Sequence, residues 1–354
     1  LARPAVVAGT ALALMETLAD FGTVSYFGVQ TFTTGIYRAW FSLGDRVAAA
    51  QLAAMLLAFV LFLLTVERIS RGRARYHNTT GRNRPMAGAR LKGLAAGLAI
   101  LACVLPLLLG FILPAGLLLK MALTEGDAQF GERFLTLSRN SFVLAGATAA
   151  IGVLLALLLA YGARLAKNGL ASGLNRLVGL GYAVPGAVIA VGVLIPVTRL
   201  DNWLAGQWQA WFDYNPGLLL TGGIAALIYA YLVRFLAVAL HTVESSLGKI
   251  TPSMDDAARS LGLGQGETMR RVHVPMLRGS LLTAGLLVFV DVMKELPATL
   301  VMRPFNFDTL ATQAYTLASD ERLAEASTAS LAIVVVGLLP LIALSRQVSA
   351  ARRP

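Results

Sequence analysis

The chain has 354 residues, of which 56% are hydrophobic and only 14% are charged. This composition, together with several apolar runs of about 20 residues, indicates a polytopic helical membrane protein and excludes an ordinary soluble domain. The single cysteine, Cys103, excludes a disulfide framework and a multi-cysteine metal cluster. The formal net charge of +11 is concentrated in particular loops, so it does not indicate nucleic-acid binding.

Hydropathy predicts eight membrane-embedded segments and therefore an all-α polytopic fold. The predicted segments are 4–19, 47–66, 94–119, 141–163, 177–198, 217–240, 279–300 and 329–345. Prolines lie inside or at the ends of these runs, where neighbouring helices can satisfy the backbone groups that a kink releases.

The distribution of lysine and arginine between the loops predicts the orientation. If the linker 67–93 is cytoplasmic, the same side carries 20 basic residues, whereas the opposite loops carry eight. The positive-inside rule then places both chain ends and the loop 241–278 in the cytoplasm. The linker itself is predicted to be a basic anchor that lies on anionic membrane lipid.

A polar stretch at 256–275 separates two apolar runs. Ser253 is predicted to cap a short helix, with Asp256 three residues on in the manner of a capping box. Gly262 is predicted to end that helix in a left-handed conformation. A second short helix at about 265–272 is expected to run into Pro275, so that the stretch forms a compact knob.

This stretch resembles the cytoplasmic coupling loop of ABC-importer permeases, which reads Glu-Ala-Ala, three residues, Gly, nine residues, Ile-x-Leu-Pro. The matching residues of this chain are Asp256, Ala257, Ala258, Gly262, Val272 and Pro275. The resemblance implies contact with a cytoplasmic ABC ATPase dimer. No Gly-x-x-x-x-Gly-Lys-Ser/Thr loop occurs in the sequence, so ATP hydrolysis is expected in a separate chain. The protein is therefore predicted to be a transport subunit, not an enzyme, and to need no cofactor.

The two ends of the chain align with each other at an offset of 275 residues, where 14–23 matches 289–298. We interpret this as a pseudo-twofold repeat whose first copy is incomplete. On this interpretation, residues 1–66 are the C-terminal remnant of the first permease copy and 67–93 are the linker. Residues 94–354 are then a complete second copy with about six spans.

Segments near both ends resemble the ferric-iron-uptake permease family. They are ETLADFG at 16–22, YFG at 26–28, RFLA at 234–237, DVMKELPATL at 291–300 and RPFNFDTLAT at 303–312. The resemblance implies a type-I ABC-importer permease bundle in the inner membrane of a bacterium, which imports ferric iron with a periplasmic ferric-binding protein. Related permeases for polyamines, thiamine, sulfate or aminoethylphosphonate share the fold, so another small solute is an alternative. An ion-coupled secondary transporter and a non-transporting membrane scaffold are further alternatives.

Five charged residues fall within or at the ends of the apolar spans: Glu16, Asp20, Asp291, Lys294 and Glu295. Such residues are costly in a membrane and usually face a protein interior or a water-filled cavity. The spacing of four places each carboxylate pair on one helix face. Two compatible interpretations stay open: a substrate pathway, or an internal ion-pair set in which Lys294 reaches Asp291.

The repeat superposes Glu16 on Asp291 and Asp20 on Glu295, which predicts four carboxylates around one central vestibule. A hard cation such as ferric iron prefers oxygen ligands, and transport needs attraction without a tight cage. The hypothesis is therefore a transient acidic relay and no stable metal site.

The other ionisable residues give weaker signals. His77, His241 and His273 form no pair at metal-binding spacing, so they are not predicted to ligate a metal. Arg234 lies near the predicted cytoplasmic end of its span. It is interpreted as snorkelling to the headgroups, with a role in the pathway as the alternative.

Overall fold

A computed structural model describes residues 3–71, 91–125, 131–166 and 169–351. These residues form helices joined by short turns, and the described part of the chain contains no β-strand. In chain order the α-helices are α1 (Arg3–Ala19), α2 (Gly22–Tyr26), α3 (Phe32–Tyr37), α4 (Arg46–Arg71), α5 (Leu94–Leu107), α6 (Leu113–Glu125), α7 (Glu132–Ala166), α8 (Gly169–Gly179), α9 (Gly186–Phe212), α10 (Ala225–Leu247), α11 (Pro252–Ser260), α12 (Gln265–Thr268), α13 (Val274–Met293), α14 (Pro297–Met302), α15 (Leu310–Ser319) and α16 (Leu323–Ala351).

Six helical stretches of the described residues are long and apolar enough to cross a membrane. They are Arg46–Glu67, Leu94–Glu125, Glu132–Ala166, Gly186–Phe212, Ala225–Leu247 and Gln265–Met293. Two shorter apolar helices, Gly9–Ala19 and Leu323–Leu338, lie near the two chain ends. Each of these eight stretches overlaps one predicted segment, so the prediction of an all-α polytopic fold is confirmed.

Two predicted segments are interrupted in the structure, and both breaks lie next to a proline. Segment 177–198 is divided by a 3-10 turn at Gly181–Ala183, and α9 begins only after Pro185 and then extends to Phe212. Segment 279–300 is divided where α13 ends at Met293 and α14 begins at Pro297. Proline has no N–H to donate and therefore favours the first turn of a new helix. An average over apolar residues does not detect these helix ends.

Two apolar cores hold the helices together, and α9 contributes to both. The larger core lies among α7, α10 and α13, with Leu144, Leu227 and Val288 fully buried at its centre. The smaller core joins α3 and α4 to the opposite face of α9, around Ile36 and Leu56. The N-terminal helices are thus attached to the rest of the protein mainly through α9, with smaller contributions from α14 and α15.

The segments α1–α4 and α13–α16 have the same order of elements. In each, a long helix is followed by two short helices and a second long helix. Both α3 and α15 begin with a reciprocal threonine capping box, formed by Thr31 with Thr34 and by Thr309 with Thr312.

Contacts between these two segments are also reciprocal. The Tyr37 hydroxyl in α3 donates a hydrogen bond to the Pro297 carbonyl of α14. The Tyr315 hydroxyl in α15 lies 3.1 Å from the Ser25 hydroxyl of α2. A pseudo-twofold pair of bundles would make such contacts. The division into 1–66, 67–93 and 94–354 nevertheless stays a prediction, and most of the predicted linker lies outside the described residues.

Candidate functional site

The charged residues predicted inside the membrane converge on one cavity of about 280 Å³, here called the vestibule. Its walls come from α1, α2, α10, α13, α14 and the turn at Gly181–Ala183. The ionisable side chains that line it are Glu16, Asp20, Tyr182, Arg234, Asp291, Lys294 and Glu295. All five charged residues predicted from the sequence therefore lie together, although Glu16 and Asp20 are about 275 positions from the other three along the chain.

Glu295 is the most buried of these groups, with only 2% of its side chain exposed. Its Oε1 lies 3.2 Å from Arg234 Nη1 and accepts a 3.1 Å hydrogen bond from the Ala298 N–H. Its Oε2 accepts a 3.2 Å hydrogen bond from the Thr299 N–H. Glu295 thus caps the first turn of α14 and neutralises a buried guanidinium, which is the work of a structural brace.

The snorkelling interpretation of Arg234 is wrong. Its side chain is only 11% exposed and points into the bundle, where Glu295 provides the opposite charge and the Phe235 ring lies 5.2 Å from the guanidinium carbon. A buried cation is more stable beside a buried carboxylate than alone, and sequence hydropathy does not reveal that partner. Gly186 makes room for the pair, because a Cβ there would lie 2.3 Å from Glu295 Oε1 and 3.0 Å from Arg234 Nη1.

Asp291 and Lys294 form the ion pair that their spacing predicted. Lys294 Nζ lies 3.1 Å from Asp291 Oδ1. The lysine side chain is 52% exposed and the aspartate side chain is 15% exposed, so the cation lies on the open side of the pair. Lys294 can therefore leave Asp291 by changing rotamers, without repacking of the helices.

The two carboxylates of α1 and its C-terminal turn are less constrained. Glu16 Oε1 accepts a 3.2 Å hydrogen bond from the Tyr182 hydroxyl. Asp20 Oδ1 lies 3.4 Å from the Thr23 N–H, a long hydrogen bond at the start of α2. Within the described part of the chain, neither forms an ion pair, and no group of three or more His, Cys, Asp or Glu side chains is placed to hold a metal ion.

The four carboxylates are consequently not equivalent, although the repeat superposes them in pairs. Those of the second segment, Asp291 and Glu295, are each paired with a cation, whereas Glu16 and Asp20 are not. Counting the four carboxylates against Arg234 and Lys294 leaves the vestibule with an excess of two negative formal charges. The free negative charge therefore lies mainly on the α1 side.

The polar stretch forms a knob, defined here as residues 252–268, which contains α11 and α12. Gly262 lies between them with a φ of +80°, which confirms the predicted left-handed corner. The predicted cap at Ser253 is wrong: Thr251 occupies the N-cap position and Pro252 begins the helix, a position that proline favours. Asp256 makes no capping box and instead pairs with Arg259 at 2.6 Å.

The sequence predicted that the second helix of the knob is short and runs into Pro275. In the structure this helix does not end there. After α12 the chain passes through a π-helical turn at Met269–His273 and continues directly as α13. Pro275 lies in the first turn of α13, where its missing N–H is tolerated after the wider turn. The knob is therefore attached to α13, which carries Asp291 at its other end.

The residues that match the coupling-loop motif divide into two groups. Asp256, Ala257, Gly262 and Pro275 are exposed, and Leu261 beside the glycine corner is 82% exposed. Ala258 is buried and Val272 is half-buried against the rest of the protein. The motif thus supplies both an outward face and the anchor beneath it.

Asp255, in the first turn of α11, fixes the knob to the bundle. Arg164 at the end of α7 donates from Nε to Asp255 Oδ2 at 2.9 Å, and the same guanidinium donates to the Leu247 and Ile250 carbonyls. The fully buried His273 places its Nε2 2.7 Å from Asp255 Oδ1. No local pattern could reveal this clamp, because Arg164 is 91 positions away in sequence.

The electrostatics of the clamp favour an ionised Asp255. Burial raises the pKa of its carboxyl, but hydrogen bonds and charge from Arg164 and His273 outweigh burial and hold the pKa below its usual value. A group with a depressed folded pKa stabilises the fold above its unfolded pKa, and this contribution disappears as the pH falls through the folded pKa. The clamp is therefore complete at neutral pH.

We expect Asp255→Asn to lower the free energy of unfolding by about 1–3 kcal/mol, since it removes a charged, partly buried hydrogen-bond acceptor. Asp256→Asn is the matched control, because that side chain is 67% exposed and pairs only with exposed Arg259. Thermal unfolding in detergent measures both. The difference between wild type and Asp255→Asn should be constant above about pH 5 and shrink below about pH 4. Equal destabilisation by the two variants would contradict the clamp.

The family described as "Binding-protein-dependent transport system inner membrane component" matches residues 152–353. The chain is 29% identical to the Fe(3+)-transport system permease protein FbpB 2 of Haemophilus influenzae, over 97% of this chain and 66% of that protein. It is 25% identical to a protein of Salmonella typhimurium provisionally named 2-aminoethylphosphonate transport system permease protein PhnV, over 46% of this chain and 56% of that protein.

Among solved structures, the fold is similar to a bacterial ABC transporter involved in the import of the acidic polysaccharide alginate. The TM-score is 0.54 at 17% identity, over 71% of this chain and 95% of that one. The chain spans about two thirds of the length of FbpB 2 and just over half that of PhnV. The family match covers more than half of the chain and includes α10–α16 and the knob. The chain belongs to the family of binding-protein-dependent transport system inner membrane components, and it is a multi-pass membrane protein of the type-I ABC-importer permease fold.

Proposed function

We propose that this protein is the transmembrane permease subunit of an ATP-driven, binding-protein-dependent importer for ferric iron. The observation that carries the proposal is the vestibule, a polar cavity within the bundle that has two more carboxylates than cations. Charged groups within a membrane protein commonly mark the path of an ion or substrate. The 29% identity to a permease named for Fe(3+) transport supports the choice of cargo.

The vestibule suits brief contact with a hard cation. Its oxygen-rich lining matches the ligand preference of such ions, and the absence of a metal-binding cluster among the described residues lets the ion leave. We assign Glu16, Asp20 and Asp291 to the pathway and treat Lys294 as a tethered countercharge that the cargo displaces. Glu295 is better explained as a brace. We therefore propose three pathway carboxylates and one structural carboxylate in place of a relay of four equivalent carboxylates.

The same charge distribution argues against an anionic solute. A phosphonate or sulfate would enter a cavity whose free charge, on Glu16 and Asp20, has the same sign as its own. An ion-coupled secondary transporter is also disfavoured, because the family to which the chain belongs consists of binding-protein-dependent transport components.

We assign the partner contacts to opposite faces of the membrane. In this proposal the knob meets a separate cytoplasmic ABC ATPase through its coupling-loop residues, both chain ends are cytoplasmic and a ferric-binding protein docks from the periplasm. Because the knob continues directly into α13, a movement of the knob would reach Asp291 through one continuous helix. ATP and the binding protein would each shift the population of inward- and outward-facing states.

Reconstitution tests the proposal. The full-length protein is placed in liposomes with an ABC ATPase and a ferric-binding protein from the same organism, and uptake of radioactive iron is measured. We expect accumulation that needs both ATP and the binding protein. Uptake of 2-aminoethylphosphonate in place of iron would assign the protein to another cargo. Uptake that follows an ion gradient without ATP would contradict the transporter class.

A further inference from the structure

The distal part of α9 and the turn after it carry an unusual density of aromatic side chains. Three of the four tryptophans in the chain, Trp203, Trp208 and Trp211, lie here together with Phe212 and Tyr214. All five are between 44% and 75% exposed. Residues 199–221, here called the aromatic arm, therefore present a broad aromatic surface that no other described part of the chain covers.

The length and packing of α9 place this arm at the edge of the membrane. The buried residues of α9 lie between Gly186 and Val193, where only Gly192 is exposed, and beyond this stretch include only Asp201. The helix begins at the vestibule, beside Glu295, and its 27 residues extend about 40 Å, whereas the hydrocarbon core of a bilayer is about 30 Å thick. A helix that begins within the membrane and has this length reaches the headgroup layer.

The arm lies on the membrane face opposite the knob. The helix that follows it, α10, starts at Ala225 and crosses the bundle to Leu247. The Leu247 carbonyl accepts a hydrogen bond from Arg164, the same residue that clamps the knob. One transmembrane helix thus separates the arm from the knob.

Asp201 makes the arm a fixed element instead of a loose loop. Its carboxylate is fully buried and accepts hydrogen bonds from the N–H groups of residues 219–221, at 2.8, 3.0 and 2.8 Å. The Thr221 hydroxyl adds a fourth bond at 2.7 Å. Four bonds to one carboxylate hold the returning segment against α9 and so fix the orientation of the helix that presents the tryptophans.

The charge of the arm favours lipid over a protein partner. Between Arg199 and Arg234 the sequence contains no lysine or arginine, and its only acidic residues are Asp201 and Asp213. Since Asp201 is buried and fully bonded, the charges that this surface exposes are Arg199 at its start and Asp213 near its middle. Tryptophan and tyrosine are enriched at the membrane–water interface, because their rings are apolar and their N–H or O–H groups reach water. Protein-binding surfaces usually have a polar rim as well.

We propose that the aromatic arm is a lipid-binding surface that lies in the headgroup layer of the leaflet opposite the knob. There it fixes the depth of α9, and through α9 it fixes the position of Gly186 at the vestibule. This proposal concerns the membrane alone and does not depend on the identity of the cargo.

Depth-dependent fluorescence quenching tests the proposal in the full-length protein in lipid nanodiscs. Trp→Phe substitutions produce variants that retain one tryptophan each, at position 203, 208 or 211. Separate preparations contain lipids with a nitroxide on the headgroup, near the acyl carbonyl or near the terminal methyl. We expect the two shallow nitroxides to quench each arm tryptophan about twofold more strongly than the deep one. A variant that retains only Trp40, which is half-buried beside Arg46, provides the reference for a partly covered ring.

Three results would overturn the proposal. Quenching no stronger than that of the Trp40 reference at every depth would show that lipid does not contact the arm. Strongest quenching by the terminal-methyl nitroxide would place the arm in the hydrocarbon core. Quenching that disappears when the periplasmic binding protein is added would assign the surface to that protein.

A second pair of variants tests the role of Asp201. Asp201→Asn should reduce the preference for shallow quenching, because it weakens the bonds that hold residues 219–221. Asp213→Asn is the control, because the Asp213 side chain is exposed on the arm. The backbone N–H of Asp213, which the substitution keeps, donates a hydrogen bond to the Gln209 carbonyl. An unchanged depth profile in Asp201→Asn would show that the hydrogen bonds to Asp201 do not orient the arm.

Discussion

Replacing Glu295 with alanine is expected to lower the free energy of unfolding by about 3–5 kcal/mol, because Arg234 then remains as an unpaired charge in the bundle. The same change removes the acceptor for the Ala298 and Thr299 N–H groups at the start of α14. Thermal unfolding of the purified protein in detergent measures this effect. Expression and membrane insertion should decrease in parallel.

Two controls separate the brace from a general need for negative charge. Asp291→Ala removes a carboxylate whose partner, Lys294, is 52% exposed, so we expect a cost of only about 1 kcal/mol. The double variant Arg234→Leu with Glu295→Leu removes both buried charges and should be more stable than Glu295→Ala alone. If Glu295→Ala and Asp291→Ala destabilise the protein equally, Glu295 is not the brace that its contacts indicate.

The contrast between these carboxylates shows how far the sequence could predict the site. Apolar runs identified the six helices that are long enough to cross a membrane and the two shorter apolar helices. The charges within those runs, Glu16, Asp20, Asp291 and Glu295, meet in one cavity. Both signals are visible in sequence because burial of charge in an apolar span is rare and costly. The role of Gly262 was also predictable, because a left-handed corner favours glycine.

The functions of the individual carboxylates depend on partners that are remote in sequence. Arg234 is 61 positions from Glu295, and Arg164 is 91 positions from Asp255. Neither pairing follows from periodicity or composition, because each depends on how α7, α10, α11 and α13 pack. Hydropathy also did not predict the helix breaks near Pro185 and Pro297. These breaks create the turns that line the vestibule.

The asymmetry of the vestibule leads to the second large effect, which concerns iron uptake. Glu16→Gln and Asp20→Asn keep the size of each side chain and part of its hydrogen bonding but remove the two carboxylates that have no cationic partner among the described residues. We expect either change to reduce ATP-dependent iron uptake by about tenfold or more, which corresponds to roughly 1.4 kcal/mol. Assembly with the ATPase and stimulation of its activity by the binding protein should be retained, since neither residue contacts the knob.

Tyr182→Phe is the matched control for this prediction. It removes the hydrogen bond to Glu16 but leaves the carboxylate charge, so uptake should remain close to wild type. Asp291→Asn should have an intermediate effect, because Lys294 already neutralises part of that charge. Iron uptake at the wild-type rate in Glu16→Gln, Asp20→Asn and their combination would exclude the α1 carboxylates from the pathway. If Tyr182→Phe instead loses as much uptake as Glu16→Gln, the hydrogen bond that positions Glu16, and not its charge, is what transport requires.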